Sequence, residues 1–100
     1  MNDHVYRVRE EIAWRKMKDG TVTIVSPLVE KIISINATAG VIWELLDGKR
    51  TVAAVIDSLY EKFKGEEGVD RAVLERDTHE MLRDLIDRQL VEQIVDNSGG

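Results

Sequence analysis

The sequence predicts an α+β domain: a three-stranded antiparallel sheet followed by three helices, a winged-helix-like arrangement. Apolar residues recur at period two up to Asn36 and at helical spacing beyond it. The junctions carry turn and capping residues: Asp19-Gly20, Pro27, Asn36, Asp47-Gly48 and Thr51. One hundred residues suit a single core, and a sheet with one apolar face must bury it, here against the helical trio.

Residues 1–10 are polar and read as a flexible N-terminal segment, 11–95 as the domain, and 96–100 as a disordered tail. From Glu11 to Lys18, Ile12 and Trp14 share one face, with Ala13, Arg15 and Met17 on the other. Asp19-Gly20 offers the φ > 0 positions of a tight hairpin turn, and Thr21–Ser26 returns with Val22 and Ile24 on one face. Pro27 cannot donate to a ladder and separates the strands. Glu30–Ile35 is rich in β-branched residues, with Ile33 and Ile35 toward the core and Ile32 beside Ser34 on the opposite face.

Asn36 is placed to cap the first helix, whose apolar positions are Val41, Ile42, Leu45 and Leu46 with Trp43 beside them. Gly48 fits the left-handed position that ends helices. Thr51 caps a second helix carrying Val52, Val55, Ile56, Leu59, Tyr60 and Phe63, which Gly65-Glu66-Glu67-Gly68 breaks. The third helix spans Asp70 to about Gln89 and buries Leu74, Thr78, Met81, Leu82 and Leu85, with Ile86 on one shoulder. Leu90–Val95 alternates weakly, as a short extension or a strand. The two tryptophans, Trp14 and Trp43, are expected to close the edges of the core rather than stack on a ligand.

Composition excludes several functions. The chain has no cysteine, so disulfides, thiolate metal sites and cysteine nucleophiles are excluded. No apolar run is long enough to span a membrane, and the charged N-terminus is no secretory signal. These features together predict a cytoplasmic protein. A net charge of −5 disfavours nucleic acid and anionic lipid. Asn36-Ala37-Thr38 matches a glycosylation acceptor, discounted in a chain without an export signal.

No catalytic constellation emerges. His4 and His79 are distant in sequence and read as solvated surface, so no metal or cofactor is expected. Six acidic residues over Asp70–Arg88 alternate with four arginines at three- and four-residue spacings, the pattern of an ion-paired solvated face. The serines lack nucleophile context, and Gly65 and Gly68 stand beside glutamates that repel phosphate. The chain is not expected to be an enzyme.

The feature that core formation explains least is the third strand. Lying after Pro27, it is placed at a sheet edge, where its N–H and C=O groups are a template for another strand. The alternative is an ordinary strand covered by the N-terminal hairpin or by a dimer mate.

The ordered set Ser34-Ile35-Asn36-Ala37-Thr38-Ala39, Ile42-Trp43, Leu46-Asp47-Gly48 and Arg50-Thr51-Val52 resembles the PqqD-like family. Asp77 with Leu82, Leu85 and Leu90-Val91 resembles that family's closing pattern, and the likeness covers roughly Trp14 to Val91. These are the peptide chaperone of PQQ biosynthesis and related precursor-peptide recognition domains. The resemblance implies a protein that binds the leader of a ribosomally made precursor peptide and presents it to a modifying enzyme, often a radical SAM enzyme. It implies that the leader adds as a strand in a groove between the third strand and the third helix. The backbone of Lys31, Ile32, Ile33, Ser34 and Ile35 would then supply hydrogen bonds, and Met81 and Leu85 an apolar pocket. Arg83 or Arg88 would meet leader carboxylates, according to which shoulder of the helix faces the groove. Pro27-Leu28 stands where PQQ-pathway members carry Pro-Glu, and Ile42-Trp43 is more like divergent members, which points to a different peptide pathway.

The runner-up is a winged-helix DNA-binding regulator, which needs a basic recognition helix that the net-negative third helix does not supply. A scaffold dimerising through the same edge is the third reading. Expected partners are thus a leader peptide and its modifying enzyme, with no nucleic acid or membrane, for a monomer or weak homodimer.

Overall fold

The computed structural model describes residues 3–27 and 29–94. Along them run β1 (Val5–Val8), β2 (Ala13–Lys16), β3 (Val22–Ser26), β4 (Val29–Ile35), α1 (Ala37–Leu45), β5 (Asp47–Thr51), α2 (Val52–Phe63), α3 (Arg71–Asp87) and β6 (Val91–Ile94). The strands make two antiparallel three-stranded sheets, ordered β2-β3-β4 and β5-β1-β6. The α+β class, the sheet before the first helix and the three helices are as the sequence predicts. The second sheet is a correction.

The flexible segment expected over residues 1–10 is, from Val5 to Val8, the central strand of that second sheet. It pairs Val5↔Ile94 and Val8↔Val91 on one side, and Val5↔Thr51 and Arg7↔Asp47 on the other. Tyr6 is buried in the core, while Arg7 stays at the rim, its Nε 3.5 Å from Glu92 Oε2. A strand this short shows only one alternation, and both its partners come from distant parts of the chain. Local periodicity therefore cannot find it. For the same reason Asp47-Gly48, expected only to stop a helix, also opens β5, with Gly48 at φ +79° as anticipated. Met1, Asn2, Leu28, Val95 and the tail expected at 96–100 lie outside the described residues.

The hairpin between β2 and β3 differs from the two-residue turn expected. Only Gly20 has positive φ (+92°); Asp19 does not. The Met17 N–H donates to the Thr21 carbonyl at 2.7 Å and the Gly20 N–H to the Met17 carbonyl at 3.0 Å. That pattern is a three-residue loop closed by a glycine bulge.

All three helices are capped by side chains. Asn36 Oδ1 accepts from the Ala39 N–H at 2.8 Å, Thr51 Oγ1 from Ala54 at 3.1 Å, and Asp70 Oδ1 from Val73 at 3.1 Å. Trp43, Ile24, Ile56, Leu59, Leu82 and Leu90 fill the centre of the core. Trp43, expected at an edge of the core, is in fact wholly buried; Trp14 is the residue at the margin, 42 % exposed. Thr78 is buried on α3 and donates its hydroxyl to the Leu74 carbonyl at 2.7 Å, so its polarity is satisfied within the helix.

Candidate functional site

Among the described residues β4 pairs with β3 alone, and no strand covers its other side. In a strand, backbone N–H and C=O groups of successive residues point to opposite sides, so every second residue of β4 offers both groups outward. The register with β3 runs Val22↔Ile35, Thr23↔Ser34, Ile24↔Ile33 and Val25↔Ile32, then jumps to Ser26↔Val29. Glu30 and Lys31 are thus bulged, and the regular part of the edge is Ile32–Ile35. Bulges are a usual way of blunting a sheet edge. This one leaves the apolar end of β4 unblunted. Ile33 and Ile35 are half-buried toward the core, while Ile32 is 72 % exposed on the outer face.

Beside that edge runs a trough between β4 and α3. Its first part is bounded by Ile33, Ser34, Ile35, Asn36, Asp84, Leu85, Arg88 and Leu90. It continues past the first turn of α1, where Ile42, Met81, Asp77 and Glu80 join Ile35 and Leu85. The floor is apolar: Leu85 and Ile42 are buried and Met81 is partly buried against the core. The position of α1 follows from Gly40, where a Cβ would meet the Gly20 carbonyl oxygen at 2.9 Å and Val22 Cγ2 at 3.0 Å. Only glycine lets the helix lie this close to the hairpin.

Of the residues singled out in the sequence, Ile33, Ser34, Ile35, Met81, Leu85 and Arg88 line one continuous trough. Ile32 lies on the same edge but points away, and Lys31 falls in the bulge. Arg83 is on the other flank of α3, around a separate hollow with Tyr6, His79, Leu82, Ile86 and Asp87. The shoulder that faces the trough is therefore the Arg88 shoulder. Arg88 Nε already donates to Asp84 Oδ1 at 3.0 Å.

The carboxylates of Asp77, Glu80 and Asp84, read in the sequence as part of a solvated face, are on this trough. Their spacing with Arg88 (three, four and four residues) puts them on one side of a helix, so the signal was present. What the sequence lacked was the orientation of that side toward β4. Asn36, Thr38 and Ala39 were likewise read as capping and helix-forming residues, yet they also form one wall.

Among the described residues, no group of three or more His, Asp or Glu side chains is arranged to hold a metal ion. No described helix is long and apolar enough to cross a membrane.

Comparison with known proteins finds a family and a shared fold. A family model described as coenzyme PQQ synthesis protein D (PqqD) matches residues 20–91. Among curated relatives, the PqqA binding protein 2 of Pseudomonas putida is 51% identical over 43 residues, 43% of this chain and 48% of that protein. The PqqA binding protein of Klebsiella pneumoniae is 48% identical over 46 residues, 46% of this chain and 50% of the relative. The chain spans about half the length of the curated relatives it matches. Among solved structures, TbiB1 in complex with the TbiA(beta) leader peptide superposes with a TM-score of 0.68 at 25% identity, covering 90% of this chain and 99% of that one. A lasso peptide synthetase B1 complexed with the leader peptide has the same fold, with a TM-score of 0.68 at 20% identity over 87% and 96% of the two chains.

Proposed function

The chain belongs to the PqqD family, and from that premise we propose that it is a noncatalytic chaperone for a ribosomally made precursor peptide. It binds the leader by strand addition on β4 and presents the rest of the peptide to a modifying enzyme of the radical SAM class. The observation that carries this reading is the regular edge of Ile32–Ile35, uncovered among the described residues and lying directly beside an apolar trough. An added strand gains main-chain hydrogen bonds along such an edge, and its alternate side chains need a pocket for specificity. Ile35, Ile42, Met81 and Leu85 supply the pocket. Of the two arginines suggested for leader carboxylates, Arg88 is the one at the trough, and its pairing with Asp84 reduces the attraction it offers.

The leader-peptide complexes among the structural relatives and the names of the PqqA-binding relatives support the same assignment. Acidic side chains along the α3 face weigh against a DNA duplex as the ligand, because phosphate contacts need clustered Lys and Arg. Pro27-Leu28 speaks for a pathway other than PQQ synthesis, whereas the PqqA-binding relatives speak for that pathway.

The test is a titration of the isotopically labelled protein with synthetic leaders, one of PqqA and one from the precursor encoded nearest to this gene. The expected result is saturable movement of the Ile32–Ile35 and Met81–Arg88 amides with one of the two. Amides unmoved by both peptides would remove the assignment.

A further inference from the structure

The trough carries charge information beyond its apolar floor. Among the described residues, its charged lining consists of Asp77, Glu80, Asp84 and Arg88. Arg88 and Asp84 satisfy each other at 3.0 Å. That leaves Asp77, whose nearest described cation is its neighbour Arg76 at 3.7 Å, and Glu80, exposed one turn away. Both flank the pocket floored by Met81 and Leu85, at the end where β4 passes into α1. The α1 N-terminus nearby carries a partial positive charge of about half a unit. Its first-turn Ala39 N–H is taken by Asn36, and two full carboxylates outweigh what remains.

We infer that the trough selects an extended segment whose inward side chains are apolar over Ile35, Ile42, Met81 and Leu85 and include a Lys or Arg at the end beside Asp77 and Glu80. This rests on the strand-addition reading and deepens it by naming the chemistry of the guest. A guest carboxylate at the same place would meet like charge as it lost water, so the carboxylates discriminate by repulsion as well as attraction. The opposite end, by Ile33 and the neutralised Arg88–Asp84 pair, sets no charge requirement.

The experiment selects a random-peptide display library on the immobilised full chain. Enriched sequences are then made synthetically and their affinities measured against the wild type, Asp77→Asn, Glu80→Gln and Glu80→Lys. The expected result is enrichment of sequences with apolar residues at every second position and a Lys or Arg in the same series. Each neutralisation should weaken binding by roughly two- to fivefold, the scale of exposed ion pairs. Glu80→Lys, which sets a cation against Asp77, should abolish the basic bias, and added salt should weaken wild-type binding more than that of the neutralised variants. Both positions are exposed, so melting curves should match the wild type. If a variant melts early, the salt dependence of the wild type carries the test alone. Enrichment of apolar peptides without basic bias, indifferent to these substitutions and to salt, would overturn the charge inference and leave strand addition standing. No enrichment above the bare matrix would overturn both.

Discussion

Trp14 stands edge-on against Trp43, their ring centroids 6.0 Å apart and their planes 83° apart. The geometry places the positive edge of one ring over the negative face of the other. The pair ties β2 to α1, but unequally, because Trp43 is wholly buried and Trp14 is 42 % exposed. Trp43→Ala should therefore cost about 3–5 kcal/mol, the range for deleting a buried aromatic. Trp14→Ala should cost about 1 kcal/mol, chiefly the ring pair and partial cover. Urea unfolding measures both. Equal costs would show that Trp14 is more than a lid on Trp43.

Gly40→Ala puts a methyl group 2.9 Å from the Gly20 carbonyl oxygen, a backbone atom that cannot swing aside. Alanine gains up to about 1 kcal/mol in helix propensity. Overpacking typically costs about 1–3 kcal/mol. The net expectation is destabilisation by about 1 kcal/mol, seen as a lower melting temperature. A rise would mean that α1 slides freely on the hairpin, and the wall that Asn36 and Thr38 give the trough would then be loose.

At the other end of the core, Gln89 holds φ +60° just past α3. Its N–H donates to the Ile86 carbonyl and that of Leu90 to the Leu85 carbonyl, both at 3.0 Å. This pattern closes a helix through one left-handed residue and drives buried Leu90 under Leu85. Glutamine in that conformation bears a strain of about 1–2 kcal/mol that glycine lacks. After the chain entropy of glycine, Gln89→Gly should stabilise by about 0.5–1 kcal/mol. Thermal or urea unfolding tests the sign.

Much of this architecture was legible because it is written locally. The caps at Asn36 and Thr51, the inward Ile33 and Ile35, and the buried faces of α2 and α3 follow from capping chemistry and from periods of 2 and 3.6. The second sheet was not legible. Val5–Val8 is short and set among polar residues, so it reads as part of a tail, and it is a strand only because Asp47–Thr51 and Val91–Ile94 meet it from far along the chain. The trough was half legible: its apolar floor follows from Met81 and Leu85. Which arginine joins it depends on the rotation of α3, and that is set by packing against α2 and β6.

That rotation yields a contrast in binding. Met81 is at the trough and only partly buried, whereas Arg83 lines the hollow on the far flank. Met81→Ala should weaken leader binding by about 1–2 kcal/mol, the scale of a central apolar anchor, with a smaller effect on folding. Arg83→Ala should leave leader affinity within about 0.5 kcal/mol of the wild type. Calorimetric titration with the leader distinguishes them. A larger loss from Arg83→Ala would assign the leader to the other flank of α3.

Asp47 supplies the pH dependence. Partial removal from water pushes its carboxyl up, but the N–H groups of Arg50 and Lys49, at 3.0 and 2.9 Å, and the Arg50 guanidinium outweigh this and hold it below its ordinary 3.8. A folded-state value below the unfolded one means that folding favours the charged form. The stabilisation is complete above the unfolded value and is lost as pH falls through the folded one. With much of the group open to water, its worth is on the order of 0.5 kcal/mol. Asp19, held low by the hydroxyl and N–H of Thr21, acts with the same sign at the hairpin. Urea unfolding between neutral pH and about pH 3 should therefore show stability falling below about pH 4. Asp47→Asn should be less stable than the wild type at neutral pH and should lose less on acidification. Parallel pH profiles for the two proteins would show that the Asp47 turn makes no contribution through its charge.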